Sequence, residues 1–244
     1  MKVNRRKLKR HYEQQGKEVN WTQYYVRDIN FAFFGRRRKV ITRLIKPLKG
    51  VALDIGSGAG VYSHDLAIKG YEVVSLDISA SYIQSTKQLA RKMSVSGKVH
   101  CIIADAEQLP FQDHTFNLVL CSEVLEHLTS PLIAIKGIKR VSKVNALIYI
   151  SMPSILSLTE NLRKFRGDKE HLWHFTPMFI TRLQKENSMD MIYKSSCNFF
   201  IYYIRILPFA QKLYRVWLML DELLGRLPLV KYFGWCFIII AKRI

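Results

Sequence analysis

The sequence lacks the features by which several large classes of protein are recognised. It has no run of about 18 uncharged apolar residues, which argues against a transmembrane helix. The basic stretch 1–18 has no apolar segment of the kind that a secretory signal needs. Cysteine is scarce and forms no CxxC pair; the four are Cys101, Cys121, Cys197 and Cys236. A disulfide scaffold and a zinc ribbon are therefore both disfavoured, and a reducing, cytoplasmic location fits.

Charge is abundant but unevenly distributed along the 244 residues. The chain carries 38 Lys and Arg against 19 Asp and Glu, a formal net charge of +19. Residues 1–50 hold a net charge of +12, residues 51–150 are neutral, and residues 151–244 hold +7. This pattern points to an anionic partner outside the central block, such as a phospholipid surface, a nucleic acid or an acidic substrate. A basic, solubilising surface would give the same pattern.

Apolar runs and helical segments alternate through the middle of the chain. Short apolar runs predict buried strands at 51–56, 72–77, 99–104, 116–122 and 146–152. Helical patterns between them predict helices at 61–69, 81–93 and 132–141. Two further strands are predicted at 190–203 and 234–244. Such alternation is typical of an α/β fold, in which helices cover both faces of a parallel sheet.

The most specific motif is the glycine-rich segment LDIGSGAG, which lies between the first predicted strand and the first predicted helix. Gly56 and Gly58 permit unusual backbone angles and the close approach of a ligand. Asp77 ends the second predicted strand, where a carboxylate can accept hydrogen bonds from both ribose hydroxyls of a cofactor. A dinucleotide fingerprint, GxGxxG, would place its third glycine at Val61, whereas this loop reads GxGxG. The spacing therefore departs from the NAD-binding pattern.

An acidic GxGxG loop followed by an acid at the tip of the second strand resembles the class I S-adenosylmethionine-dependent methyltransferases. S-adenosylmethionine has no pyrophosphate for a helix N-terminus to hold, which agrees with the spacing. The resemblance is close over residues 50–152 and implies a Rossmann-like, mostly parallel seven-stranded sheet with an antiparallel last strand. It also implies the cofactor-binding residues Asp54, Gly56, Ser57, Gly58, Gly60, Asp77, Ile78, Asp105, Ala106, Cys121 and Ser122.

The stretch SEVLEH after the fourth predicted strand resembles the ubiquinone-biosynthesis O-methyltransferase group. Glu123, Glu126 and His127 stand at i, i+3 and i+4, so one helical face can present all three, and they could bind Mg²⁺, Mn²⁺ or Zn²⁺. Small-RNA 2′-O-methyltransferases use a similar set with a later histidine, here His171 or His174. The predicted catalytic residues are Glu123, His127 and His174, with either of these two histidines as general base. Alternatively, the stretch only shapes a helix end.

Two segments lie outside the resemblance. Residues 1–49 are predicted to form a basic, helical arm that is mobile or frayed at its start, and residues 50–244 a methyltransferase domain with a helical insert near 205–232. Large apolar residues alternate with Lys and Arg in the insert, as in an interfacial helix on an anionic membrane, or in a core helix. The basic run Arg36–Lys39 could likewise meet a membrane or hold RNA phosphates.

Together these patterns predict an S-adenosylmethionine-dependent methyltransferase that O-methylates a small or lipid-like hydroxylated acceptor near a membrane. Two alternatives stay open. One is an RNA 2′-O-methyltransferase that binds a divalent metal through Glu123, Glu126 and His127. The other is a non-catalytic module that binds S-adenosylmethionine. The predicted location is cytoplasmic, with or without peripheral attachment to a membrane.

Overall fold

A computed structural model of the chain describes residues 5–18, 29–45, 50–157, 171–173, 175–187, 189–197, 199, 214–225, 227–228, 230 and 233–244. The strands are β1 (Val51–Ile55), β2 (Glu72–Asp77), β3 (Val99–Ile103), β4 (Phe116–Ser122), β5 (Ser142–Pro153), β6 (Met189–Cys197) and β7 (Cys236–Arg243). The α-helices are α1 (Arg5–Glu18), α2 (Ile29–Leu44), α3 (Val61–Ile68), α4 (Ala80–Lys92), α5 (Pro131–Val141), α6 (Pro177–Asn187) and α7 (Tyr214–Leu224). A short 3₁₀ helix, Leu125–His127, follows β4.

The strands form one seven-stranded sheet in the order β3-β2-β1-β4-β5-β7-β6. Strands β1 to β5 pair in parallel, and β7 is antiparallel to both of its neighbours, β5 and β6. The predicted fold class is therefore confirmed, including the antiparallel last strand. The chain leaves β1 toward β2 and β3 and then crosses to β4 on the other side. Open α/β sheets bind ligands at such a switch point, beyond the carboxyl ends of the strands.

Alternate residues of the central strands face two different cores. On β1, Leu53 and Ile55 belong to a buried cluster that includes Ile135 of α5 and Ile180 of α6. Ala52 belongs to the other cluster, on the face covered by α2 and α3. Because both faces are buried, the strands are almost continuously apolar, and this made them visible in the sequence.

One predicted strand boundary is wrong by four residues. β5 begins at Ser142 rather than at 146, because Phe116 pairs with Ser142 before the register shifts on β4. The polar start of this strand hid it from a search for apolar runs. β6 is described as far as Cys197, which pairs with Cys236, the first residue of β7. The predicted strand continues to 203, but residues 198 and 200–203 lie outside the described residues.

The first helix is docked on the sheet domain and is neither a free arm nor a frayed one. α1 packs against α4, and the carboxylate of Glu13 accepts hydrogen bonds from Ser79 Oγ at 3.1 Å and from Ser81 N at 3.2 Å. Hydrogen bonds from Ser81 and Ser79 lower the pKa of Glu13. Glu13 thereby caps the N-terminus of α4, where a negative charge is favourable.

Candidate cofactor and active site

The glycine-rich loop leaves β1 with three successive left-handed glycines. Gly56, Gly58 and Gly60 have φ angles of +63°, +52° and +80°, a region that residues with a side chain rarely adopt. At Gly56 a Cβ would lie 2.4 Å from Cγ2 of Val124, in the loop after β4. At Gly58 a Cβ would meet nothing within 4 Å. The first glycine therefore allows two loops to touch, and the second borders open space.

Asp77 ends β2 and holds this loop in place. Its Oδ2 accepts a hydrogen bond from Gly58 N at 2.9 Å, and its Oδ1 accepts one from Ser79 N at 2.9 Å. The residue is only 6% exposed, and burial raises the pKa of its carboxyl group. A carboxylate at this place can accept ribose hydroxyls from the open side of the loop.

A cavity of about 200 Å³ opens beyond the carboxyl ends of β1, β2, β3 and β4. Six of the predicted cofactor residues line it: Gly56, Gly58, Asp77, Ile78, Asp105 and Ala106. The carboxylate of Asp105 accepts a hydrogen bond from Glu107 N at 2.8 Å, which fixes the turn after β3. An open glycine loop, a buried acid and a polar turn converge on one cavity, and this fits the ribose and adenine of S-adenosylmethionine.

Five predicted cofactor residues are not among those that line the cavity: Asp54, Ser57, Gly60, Cys121 and Ser122. Asp54 is 1% exposed and accepts a hydrogen bond from Ser63 Oγ at 2.6 Å. Burial raises the pKa of Asp54 to about 7. Its carboxyl group is thus paired with Ser63 of α3, and its part in cofactor binding stays a prediction.

The predicted helical face that presents both acids and His127 is also absent from this part of the chain. Glu123 has a φ of +56°, and the helical turn after it covers three residues, so its side chain diverges from that of Glu126. Oε2 of Glu123 lies 3.3 Å from Arg37 Nη1, and Oε1 accepts a hydrogen bond from Cys236 Sγ at 3.0 Å. Glu123 and His127 nevertheless both line the cavity.

A different set of ligand atoms lies close together. Glu126, His127 and His171 each offer one atom to a group whose members are within 4.8 Å of one another. Glu126 is completely buried, and the His127 and His171 rings are 5.1 Å apart. The geometry replaces Glu123 with His171 in the predicted metal set, and two imidazoles with a carboxylate would suit Zn²⁺ or Mn²⁺. His174 lies outside the described residues.

The N-terminal helix contributes to the cavity, which sequence analysis missed. Leu8 and Tyr12 of α1 line it, and the rings of Tyr12 and His127 meet edge to face at 5.5 Å. The two α1 residues are spaced i, i+4 in an otherwise polar helix. That spacing was a signal for a contact, although it did not say with what.

A glycine loop with an acid beside it, at the switch point of a seven-stranded sheet, is typical of class I S-adenosylmethionine-dependent methyltransferases. Residues 53–150 of this chain match the family model of the methyltransferase domain. S-adenosylmethionine is the cofactor of the class, and the cavity described above fits it.

Two curated proteins are similar in sequence to part of this chain. A ubiquinone biosynthesis O-methyltransferase of Parvibaculum lavamentivorans is 29% identical over 128 residues, which cover 52% of this chain and 48% of the relative. A demethylmenaquinone methyltransferase of Clavibacter sepedonicus is 32% identical over 46% of this chain and 45% of its own. The chain thus spans about half the length of the curated relatives it matches.

Solved structures agree on the fold. A geranyl diphosphate methyltransferase, in complex with GPP and sinefungin, superposes with a TM-score of 0.63. The match covers 88% of this chain and 78% of that one at 13% identity. An identity this low shows the fold alone.

Proposed function

We propose that the protein transfers the methyl group of S-adenosylmethionine to an oxygen of a small, hydroxylated, quinone-type ring. One observation carries the proposal: the buried acid Asp77 and the candidate bases Glu123 and His127 line the same cavity. A site for the cofactor ribose and a site for proton removal thus lie side by side. One relative described above is named for ubiquinone biosynthesis and the other for demethylmenaquinone, which supports the choice of acceptor.

The residues divide the chemistry between them. Bound S-adenosylmethionine supplies an electrophilic methyl group for in-line displacement. Asp77 would hold the ribose hydroxyls, and Asp105 would accept from the adenine amino group. His127 would take the proton of the acceptor hydroxyl as the oxygen bonds to the methyl carbon, because a neutral imidazole is a suitable base near pH 7. Leu8 and Tyr12 of α1 line the cavity and would exclude water from it.

Calorimetry with S-adenosylmethionine tests the cofactor site. We expect the wild type to bind and Asp77→Ala to lose binding by roughly a hundredfold, about 3 kcal/mol, because the substitution removes both the ribose acceptor and the anchor of Gly58. Asp113→Ala, at an exposed carboxylate paired with Arg140, is the matched control and should bind normally. Absence of binding in the wild type, or equal binding by Asp77→Ala, would refute the proposal.

The acceptor can be identified by incubating a cell extract with methyl-labelled cofactor and separating lipid, RNA and small-molecule fractions. Label in the lipid or small-molecule fraction supports a quinone-type acceptor. Cofactor binding without label in any fraction would instead indicate a non-catalytic module.

The metal-dependent alternative has one observation in its favour, the cluster of Glu126, His127 and His171. It predicts that EDTA abolishes transfer and that RNA binding weakens steeply with salt, because phosphate contacts release counterions. Transfer that is indifferent to EDTA would count against this function.

Attachment to a membrane surface is a further part of the proposal. None of the described helices is long and apolar enough to span a bilayer. On α7, however, the exposed residues Val216, Met219 and Leu223 recur at helical spacing. Glu222 of the same helix forms ion pairs with Lys39 and Arg43 of α2, which fixes the orientation of the helix. An apolar stripe beside cations suits an anionic lipid surface.

Co-sedimentation with phosphatidylglycerol-containing vesicles tests this attachment. Met219→Glu should reduce binding several-fold, because it places a charge within the stripe. Met178→Glu is the matched control, since Met178 is 81% exposed on α6 and lies outside the stripe. Equal binding by both variants would contradict attachment through α7.

A further inference from the structure

A buried cation lies behind the cavity. Arg37 comes from the middle of α2, and its side chain is only 2% exposed. Its Nη1 lies 3.3 Å from Oε2 of Glu123, and its guanidinium carbon lies 5.7 Å from the ring centroid of Trp235, which immediately precedes β7. An arginine buried in this way needs a compensating anion, and Glu123 supplies one.

Three polar contacts surround Glu123, of which the ion pair with Arg37 does not reach hydrogen-bond geometry. Arg37 meets one carboxylate oxygen, and the thiol of Cys236 donates to the other at 3.0 Å. The backbone N of Glu123 donates to the carbonyl oxygen of Ser151 at 3.0 Å. The residue also keeps a left-handed φ of +56°, which costs a non-glycine residue about 1 kcal/mol or more and persists only when the surroundings enforce it. These contacts place the carboxylate between Arg37 and Cys236.

The neighbouring arginine shows what a purely structural pair looks like. Arg38 forms a two-pronged pair with Asp65 of α3, with Nε at 2.8 Å and Nη2 at 2.7 Å from the two carboxylate oxygens. Neither of these residues lines the cavity. The Arg37 pair differs in that its carboxylate belongs to a residue on the cavity wall.

We propose that Arg37 is a positioning residue, which holds Glu123, and with it the loop after β4, in place on the wall of the cavity that takes the cofactor. The inference rests on the proposed function only in that S-adenosylmethionine must occupy the cavity. Fixing the carboxylate in advance contributes to the reaction because orientation lowers the barrier of a displacement step. Cys236 supports the same carboxylate from the opposite oxygen.

The test observes the transferred methyl group directly and needs no acceptor. S-adenosylmethionine labelled with 13C in its methyl group is bound to the protein, and the resonance of the bound methyl is recorded by NMR. Glu123→Gln should move this resonance, because it removes the negative charge on the cavity wall. Arg37→Met should move it as well, because Glu123 is no longer held by its partner. Arg38→Met, the matched control, should leave it at the wild-type position.

A double variant covers the case in which Arg37→Met does not fold because Glu123 is left as an uncompensated charge. Arg37→Met/Glu123→Gln removes both charges, and its methyl resonance should coincide with that of Glu123→Gln alone if Arg37 acts only through Glu123. A wild-type resonance in Arg37→Met, or a further displacement in the double variant, would overturn the inference. Failure of the wild type to bind the labelled cofactor would refute the proposed function instead, so the two failures are distinguishable.

Discussion

The two ends of the cavity are built in different ways. At the cofactor end, Gly56, Gly58, Asp77 and Asp105 all come from loops at the tips of consecutive strands. At the other end, Glu123 is held by Arg37 from α2 and by Cys236, which is 113 residues further along the chain. The first end depends on local backbone geometry, whereas the second depends on long-range pairing between side chains.

This difference has an energetic consequence. A glycine loop is specified by which residues can adopt positive φ, so a few adjacent residues suffice to build it. A buried ion pair must have both charges present, because removing one leaves the other uncompensated. The effect of a substitution at the cofactor end should therefore not depend on other substitutions. At the other end, the effect of substituting Arg37 or Glu123 should depend on whether its partner is still present.

Gly56 lies where the two ends touch, and substitution there should have the largest effect. Gly56→Ala should lower the free energy of unfolding by about 3 kcal/mol, since its Cβ would overlap Val124 at a strained φ. Gly58→Ala should cost only about 1 kcal/mol, because its Cβ has open space. Urea unfolding measures both changes.

Measurements of cofactor binding also distinguish Gly56→Ala from Gly58→Ala. The space beside Gly58 is where we expect the cofactor, so Gly58→Ala should weaken binding of S-adenosylmethionine by roughly tenfold, about 1.4 kcal/mol, while the protein remains folded. If both variants lost the same stability and Gly58→Ala bound normally, the two glycines would not have the separate roles assigned above.

The contrast between the two ends also explains what the sequence could predict. Gly56, Gly58 and Asp77 were identified because their roles follow from residue type and position relative to predicted strands. The central strands were visible because both of their faces are buried. The burial of Asp54 was not visible, because the motif does not say on which side of the loop the carboxylate points.

At the other end, sequence reasoning selected Glu123 but gave it the wrong neighbours. A spacing of i, i+3 and i+4 implies a shared helical face only where the backbone is helical. The backbone at Glu123 is not helical, because its φ is +56°. Arg37 was noticed only as part of a basic run. Its burial depends on how α2 packs against the sheet, which no local pattern encodes.

The pH dependence of the free energy of unfolding provides a test at Asp54, which lies in β1 beside the glycine loop. Its pKa is raised from 3.8 to about 7 by burial, so the folded state retains a proton that the unfolded state loses above pH 4. Stability should therefore fall as pH rises through this range. Between pH 6 and pH 8 the wild type should lose about 1 kcal/mol relative to Asp54→Asn, in which the group does not titrate.

The control for this measurement is Asp190→Asn, at an exposed position on β6. Thermal or urea unfolding at several pH values gives the difference between each variant and the wild type. A difference between wild type and Asp54→Asn that does not change from pH 6 to pH 8 would contradict the raised pKa. A change shared with Asp190→Asn would mean that Asp54 is not its source.

The smallest expected effect is at α1, which is far from the glycine loop in the sequence but lines the same cavity. Tyr12→Ala should weaken binding of S-adenosylmethionine by roughly fivefold, about 1 kcal/mol, because an aromatic wall of the cavity is replaced by water. Glu13→Gln should reproduce part of this loss, since it weakens the cap that docks α1 on α4. Gln14→Ala, at an exposed position of the same helix, should bind as the wild type does. If all three bound equally, α1 would cover the cavity without contributing to affinity, and the cofactor end would depend on its local loop alone.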